Sequence, residues 1–376
     1  MGRIGRWSTT VLGLALTTAS CGSDQPPGAG EQLTPIQRAP IRDNEFTPVE
    51  LEDTVDRLVA EINASALRTM PMAVVLKNAA GFWGPVVTAA TRAMAELGVV
   101  GSVIGPIALS EDGPQPDEVQ NEQIAQAVED GAEGIGLAPF GDLQTTAVDE
   151  AVTRGVHVVT LDNDVTASKR SIYVGTLNES AGTTAAETLL AMLPSPPGTV
   201  ILHGSTDEAG SAGLERTQGA QDRLEAAGYE VVVGQAHWDL SGETEDVAWM
   251  TAEIEAADPP VVGMLGLFNV SYRCAMAAEA AGETTLPIVA FDFDPITVEY
   301  MRQGRIRATH IQRQYYQGYL VPYILYGIKN LGLEATRKIL APQMVDGTRV
   351  NTGLDVVRGD KVDAYNDFLL SIDANQ

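Results

Sequence analysis

Ile288-Val289-Ala290-Phe291-Asp292-Phe293-Asp294 nearly repeats Val158-Val159-Thr160-Leu161-Asp162-Asn163-Asp164 from the other half of the chain. Each is a short apolar run of the kind that forms a buried strand, and each stops abruptly at Asp-x-Asp. Open parallel α/β sheets bind ligands outside the carboxyl ends of their strands. A carboxylate at such an end, once in each half, predicts two similar lobes facing one polar ligand.

Working outward, apolar strands alternate with helical patterns from Met72 onward. Met72–Val75, Val99–Ile104, Gly134–Ala138 and Val156–Leu161 read as strands of a first series, with helices over Phe82–Leu97, Asp117–Asp130 and Leu143–Thr153. Thr199–Leu202, Glu230–Val233, Val261–Leu265 and Ile288–Phe291 form a second series, interleaved with helices over Ser211–Ala227, Glu245–Ala256 and Val270–Ala281. Such alternation implies right-handed βαβ crossovers, so the fold class is α/β with two doubly wound, Rossmann-like parallel-sheet lobes. Upstream, Thr47-Pro48-Val49-Glu50 has the form of a capped helix start, with Leu51, Val55, Leu58, Val59 and Ile62 on one face.

The chain has 376 residues, 44% of them hydrophobic, enough for well-buried cores. Lys and Arg number 24 against 50 Asp and Glu, a net charge of −26, which argues against nucleic acid as a partner. No glycine-rich dinucleotide or phosphate loop follows a strand, and four His without clustered Cys give a metal site no basis; no cofactor is expected. Arg3 and Arg6 precede the apolar stretch Val11–Leu16, small residues and Cys21, the plan of a secretory signal. Thr18-Ala19-Ser20-Cys21 resembles a bacterial lipobox, which makes Cys21 the expected lipidation site and mature N-terminus. Residues 22–46, rich in Gly, Pro and Gln, read as a flexible tether. Cys274, in an Ala-rich helical pattern, reads as a buried inert thiol.

Ala73-Val74-Val75-Leu76-Lys77-Asn78, then Gly81-Phe82-Trp83, then a helix ending Ala95-Glu96-Leu97-Gly98 resemble the type I periplasmic sugar-binding proteins, the ribose/allose/galactose-binding family that serves ABC transporters. The strand-end Asp162, Asn269 after an apolar strand, Phe291-Asp292, and Gln312 with Gly318 six residues on are similar in kind and order. The resemblance runs from Met72 to about Val357. It implies lobes over 71–177 plus 313–350 and 178–312 plus 351–357, crossed by strands near Asn178, Gln312 and Asn351. An N-terminal helix over 47–70 and a C-terminal tail over 358–376 complete the division.

Sugars offer flat C–H faces and a rim of hydroxyls, which suit aromatic rings and planar polar groups respectively. By resemblance, Phe82, Trp83 and Trp238 supply aromatic walls, while Asp162, Asn163, Asp292, Asn269 and Gln312 bind hydroxyls and Lys77 adds a cationic contact. Asp294, followed by Pro295, suits a helix cap better. Many ribose-like members carry Arg where this chain has Asn163, and a second Arg where alignment places Leu214. Loss of both guanidinium forks leaves Lys77 and Arg313 to offset two carboxylates. That predicts a ligand other than ribose: larger, less hydroxylated or amino-bearing.

The resemblance therefore implies an extracytoplasmic solute-binding lipoprotein, in the periplasm or at the cell surface. It would be a monomer without enzymatic activity, capturing a small sugar or polyol and delivering it to an ABC transporter permease. A receptor of the same fold working with a membrane sensor kinase is the alternative. A carboxylate-pair glycoside hydrolase is a remoter one.

Overall fold

The structure is a computed structural model; it describes residues 33–374 apart from 43, 106–114, 207–210 and 238–239. The expectations for the signal, for Cys21 and for Trp238 fall outside the described residues. Met1–Thr34 cluster as one unit and Pro35–Gln376 as another, and all that follows concerns the second.

Apolar strands pair into two sheets. The first runs β11 (Met344–Val345), β12 (Arg349–Asn351), β5 (Ile172–Gly175), β4 (His157–Leu161), β3 (Gly134–Leu137), β1 (Met72–Val75), β2 (Gly101–Ile104). The second runs β13 (Asp355–Arg358), β10 (Ala308–Ile311), β9 (Ile288–Phe291), β8 (Val261–Gly266), β6 (Thr199–Gly204), β7 (Glu230–Gln235). Neighbours are parallel except at one edge of each sheet, where β11 meets β12 and β13 meets β10 antiparallel. The two doubly wound α/β lobes are present, each with one antiparallel edge. β1, β3, β5, β6 and β9 are buried along their whole length, as strands covered by helices on both faces must be.

The chain passes between the sheets three times, over 175–178, 311–314 and 351–355. The first passage feeds α5 (Asn178–Leu190), packed on α6 (Ser211–Ala226) in the second lobe. The second passage feeds α10 (Gln314–Leu331), which returns to the first lobe and packs against α2 (Gly84–Leu97). Both helix pairs depend on glycine. A Cβ on Gly182 would overlap the Arg216 carbonyl oxygen, one on Gly219 the Glu179 carbonyl, and one on Gly318 the Val86 carbonyl.

Three local readings change. Helix α1 (Val49–Asn63) starts one residue later than expected: Pro48 is its N-cap, no side chain caps it, and the Thr47 hydroxyl is buried without a partner. Glu50 turns away to Arg313 Nη1, at 2.7 Å. The tether expected over 22–46 is packed at its far end, where Ile36 enters the core and Asn63 exchanges hydrogen bonds of 2.8 and 3.0 Å with its backbone. Beyond Arg358 the expected tail forms α12 (Val362–Ser371), burying Val362, Tyr365, Phe368 and Leu369.

Candidate functional site

The twin Asp-x-Asp ends fold alike. Asp162 follows β4 with φ of 64° and Asp292 follows β9 with φ of 66°, the left-handed region that Asp enters more readily than most residues. In each lobe the next strand holds that turn. Asp162 N–H donates to the Val174 carbonyl at 3.2 Å, and the Tyr173 hydroxyl lies 3.0 Å from the Asp162 carbonyl oxygen. Asp292 N–H donates to the His310 carbonyl at 2.8 Å, and the Thr309 hydroxyl donates to the Asp292 carbonyl at 2.5 Å. The second acid of each motif is structural. Asp164 takes the guanidinium of Arg170 on both oxygens, at 2.8 and 2.6 Å, while Asp294 caps α9 (Pro295–Arg302) by accepting from the Ile296 and Thr297 N–H groups.

The first acids carry the site. Lys77, just past β1, donates to Asp162 Oδ2 at 3.2 Å, and its ammonium stands 5.9 Å from the Trp83 ring centre. Asp292 is buried, and Gln312 and Gln314 donate to its Oδ1 at 3.0 and 3.4 Å. Burial pushes its carboxyl up to about 7; Arg216 and Gln312 pull it back, and Asp162 pushes it further.

Arg216 is the residue that sequence reasoning missed; positions 163 and 214 are Asn and Leu, and Arg216 lies two residues beyond the second of them. It projects from α6, 3% exposed, and donates to Asn178 Oδ1 at 3.2 and 2.7 Å, Gln312 Oε1 at 2.6 Å and the Leu267 carbonyl at 2.7 Å. Its guanidinium lies 4.4 Å from the Phe291 ring centre, and burial lowers its pKa while Asp292 and Asp162 raise it. Four of its five N–H donors are thus engaged. A signal existed: Arg216, Ala220 and Leu224 fall at helical spacing on the buried face of α6, an arginine in phase with core residues. Arg313, expected to offset the carboxylates, sits elsewhere, donating to Asp355 Oδ1 at 2.8 Å and to Glu50.

Asn163 is occupied as well. Its Nδ2 donates to the Phe140 carbonyl at 3.3 Å, and its Oδ1 accepts from Ala212 N–H of the opposite lobe at 3.3 Å. The amide therefore bridges the cleft, and the lobes touch there. Trp83 is buried in a short 3-10 turn, edge-on to Phe82 at 5.0 Å. Asn269 stands half-buried after β8. Lys77 thus pairs with Asp162 in one lobe, while Gln312 links Asp292 to Arg216 at the other, with Asn163 tying the lobes and Trp83 near the Lys77 ammonium. Among the described residues no group of His, Cys, Asp and Glu could hold a metal ion.

Two α/β lobes, three crossings and a buried polar cluster between the strand ends define a two-lobed binding protein. Residues 72–332 match the model of the periplasmic binding protein domain, and the chain belongs to that family. Its fold is that of the type I sugar-binding members. A glucose-galactose binding protein, GanP, from Geobacillus stearothermophilus is 23% identical with a TM-score of 0.62, over 78% of this chain and 98% of that one. A solute-binding protein from Burkholderia graminis in complex with D-arabinose is 24% identical with a TM-score of 0.64, over 79% and 97%. The XylFII–LytSN complex gives 19%, a TM-score of 0.62, and 78% and 99%. No curated protein matches the chain.

Proposed function

We propose that this chain is an extracytoplasmic solute-binding protein that encloses an uncharged sugar or polyol between its lobes and releases it to an ABC permease, without chemical change to the ligand. The observation that carries this reading is a strand-end carboxylate in each lobe with its own polar partners, Asp162 with Lys77 and Asp292 with Gln312, which Arg216 also bonds. Lys77 offsets Asp162, and Asp292, pushed up to about 7 by burial, carries only part of a charge near neutral pH, so no full negative charge is left to call for a cationic ligand. Hydroxyls donating to ionised carboxylates make strong, charge-assisted bonds. A ligand that bridges both lobes favours the closed form by its differential affinity.

Ligand-binding roles are proposed for Lys77, Trp83, Asp162, Asp292 and Gln312, with Phe82, Trp238 and Asn269 as further walls and contacts. Cys21 is proposed as a lipid anchor that keeps the binder at the membrane. The test is thermal denaturation against pentoses, hexoses, amino sugars, polyols and autoinducer-type furanosides, since a ligand that binds only the folded state raises the melting temperature. A shift from a neutral sugar or polyol, lost in Asp292→Ala, supports the reading. A shift confined to cationic ligands, or one surviving Asp292→Ala, defeats it. A second reading, a receptor that hands its signal to a membrane partner other than a permease, is favoured by likeness to the XylFII–LytSN complex. Adjacent permease and ATPase genes, or an adjacent sensor-kinase gene, separate the two.

A further inference from the structure

The chain on either side of the matched domain meets itself beside the crossings. On the first lobe, Arg38 is nearly buried; it pairs with Glu52 and Asp56 of α1 and donates to the Tyr319 hydroxyl of α10 at 3.3 Å, while Arg92 of α2 donates to the Ala39 carbonyl. A few residues on, Phe46 leaves that lobe's surface and packs on α12, its ring centre 5.0 Å from Tyr365 and 6.0 Å from Phe368. Glu45 beside it pairs with Lys361 at 3.0 Å. Helix α12 belongs to the second lobe. Arg302 of α9 pairs with Asp363 at 2.8 Å, Phe293 meets Tyr365 at 5.1 Å, and the Tyr365 hydroxyl donates to Asp355 of β13 at 3.0 Å.

Arg313 closes the ring of contacts. It sits on the second crossing with φ of 54° and bonds Glu50 of α1, the Thr352 carbonyl of the third crossing and Asp355 of β13. Rotation of the lobes about the crossings leaves bonds on the axis nearly unchanged. Phe46, anchored on one lobe and seated on the other, is a contact the two lobes share.

We infer that Glu45 and Phe46 form a clasp between α1 and α12 that holds the lobes toward the closed arrangement, so that the segment preceding the periplasmic binding domain sets the open–closed equilibrium. The clasp is present in the arrangement where Asn163 meets Ala212 across the cleft, so breaking it favours opening. An edge-on aromatic contact shifts such an equilibrium by up to about tenfold. The clasp rests on these contacts alone; its effect on affinity rests on the solute-binding reading.

Small-angle X-ray scattering of the ligand-free protein tests it without knowledge of the ligand. Phe46→Ala is expected to raise the radius of gyration, with Phe46→Leu restoring most of the wild-type value. Glu45 and Lys361 have exposed side chains, so Lys361→Glu leaves the core intact while setting two carboxylates face to face. It is expected to open the protein too, and adding Glu45→Lys to close it again. An unchanged radius in both Phe46→Ala and Lys361→Glu overturns the clasp, whatever happens to the melting temperature. A wider radius with no sugar bound by any variant leaves the clasp standing and counts against the solute reading instead.

Discussion

At Asp162 and Asp292 a left-handed backbone aims each carboxylate off the end of its strand, at a cost of about 1 kcal/mol per residue for an L-amino acid. Hydroxyls from the neighbouring strands, Tyr173 and Thr309, lock the turns. Thr309→Val is therefore expected to weaken ligand binding more than it lowers the melting temperature, because it frees the Asp292 turn while filling the same space. Titration calorimetry beside thermal denaturation reads both. Arg216→Lys keeps the charge and loses the planar fork that joins Asn178 and Gln312, and a ten-fold or larger loss of affinity is expected. His310 lies buried between Thr188 and Ala290, and burial pulls it down to about 4. Its folded pKa lies below that of the unfolded chain, so its contribution is complete above about 6.5 and is lost as pH falls through about 4. That is worth up to about 3 kcal/mol. Denaturant melts of His310→Asn across this range are expected to show a flatter acid limb than the wild type.

At the scale of elements, the closest packing lies between α5 and α6. Gly182→Ala or Gly219→Ala forces a Cβ into a carbonyl of the facing helix, so each is expected to cost about 2 kcal/mol or more by overpacking, read as a lower denaturation midpoint. Cys274 on α8 (Tyr272–Ala280) is fully buried and its thiol is pushed up to about 12, so a thiol reagent is expected to reach it only at the rate of unfolding. Periodicity revealed most of the elements that alternate from Met72 to Phe291, because strands buried on both faces read as unbroken apolar runs. It passed over β5, α5, β10 and α10. The strands are four residues long, Thr309 and His310 break the apolar run of β10, and α10 is buried nearly all round, so it shows no amphipathic stripe. The cap expected at Thr47 failed because Arg313, far away in sequence, takes Glu50.

Across the whole molecule, two lobes meeting at Asn163 and Ala212 describe a closed clamp. Asn163→Ala removes a bond that exists only when the lobes touch, and is expected to speed ligand release several-fold while leaving association unchanged, as stopped-flow fluorescence would register. The strand-end acids were legible because a local run reports them. Arg216 was legible only as an arginine in phase with core residues, because its role depends on which face of α6 meets the hinge, and that follows from the helix pairing at Gly182 and Gly219.

The same pairing has a mechanical meaning. Asn178 opens α5 at the first crossing, α6 is pressed against α5, and Arg216 reaches back from α6 to Asn178 and Gln312. The guanidinium therefore sits at the fulcrum, where a swing of one lobe carries it almost nowhere. Asn163 instead bonds across the cleft to Ala212, so a swing of the lobes breaks its contact. On the solute-binding reading, a solute is expected to find its partners near the crossings already in position. The contact across the cleft, Asn163 with Ala212, is then expected to form on closure.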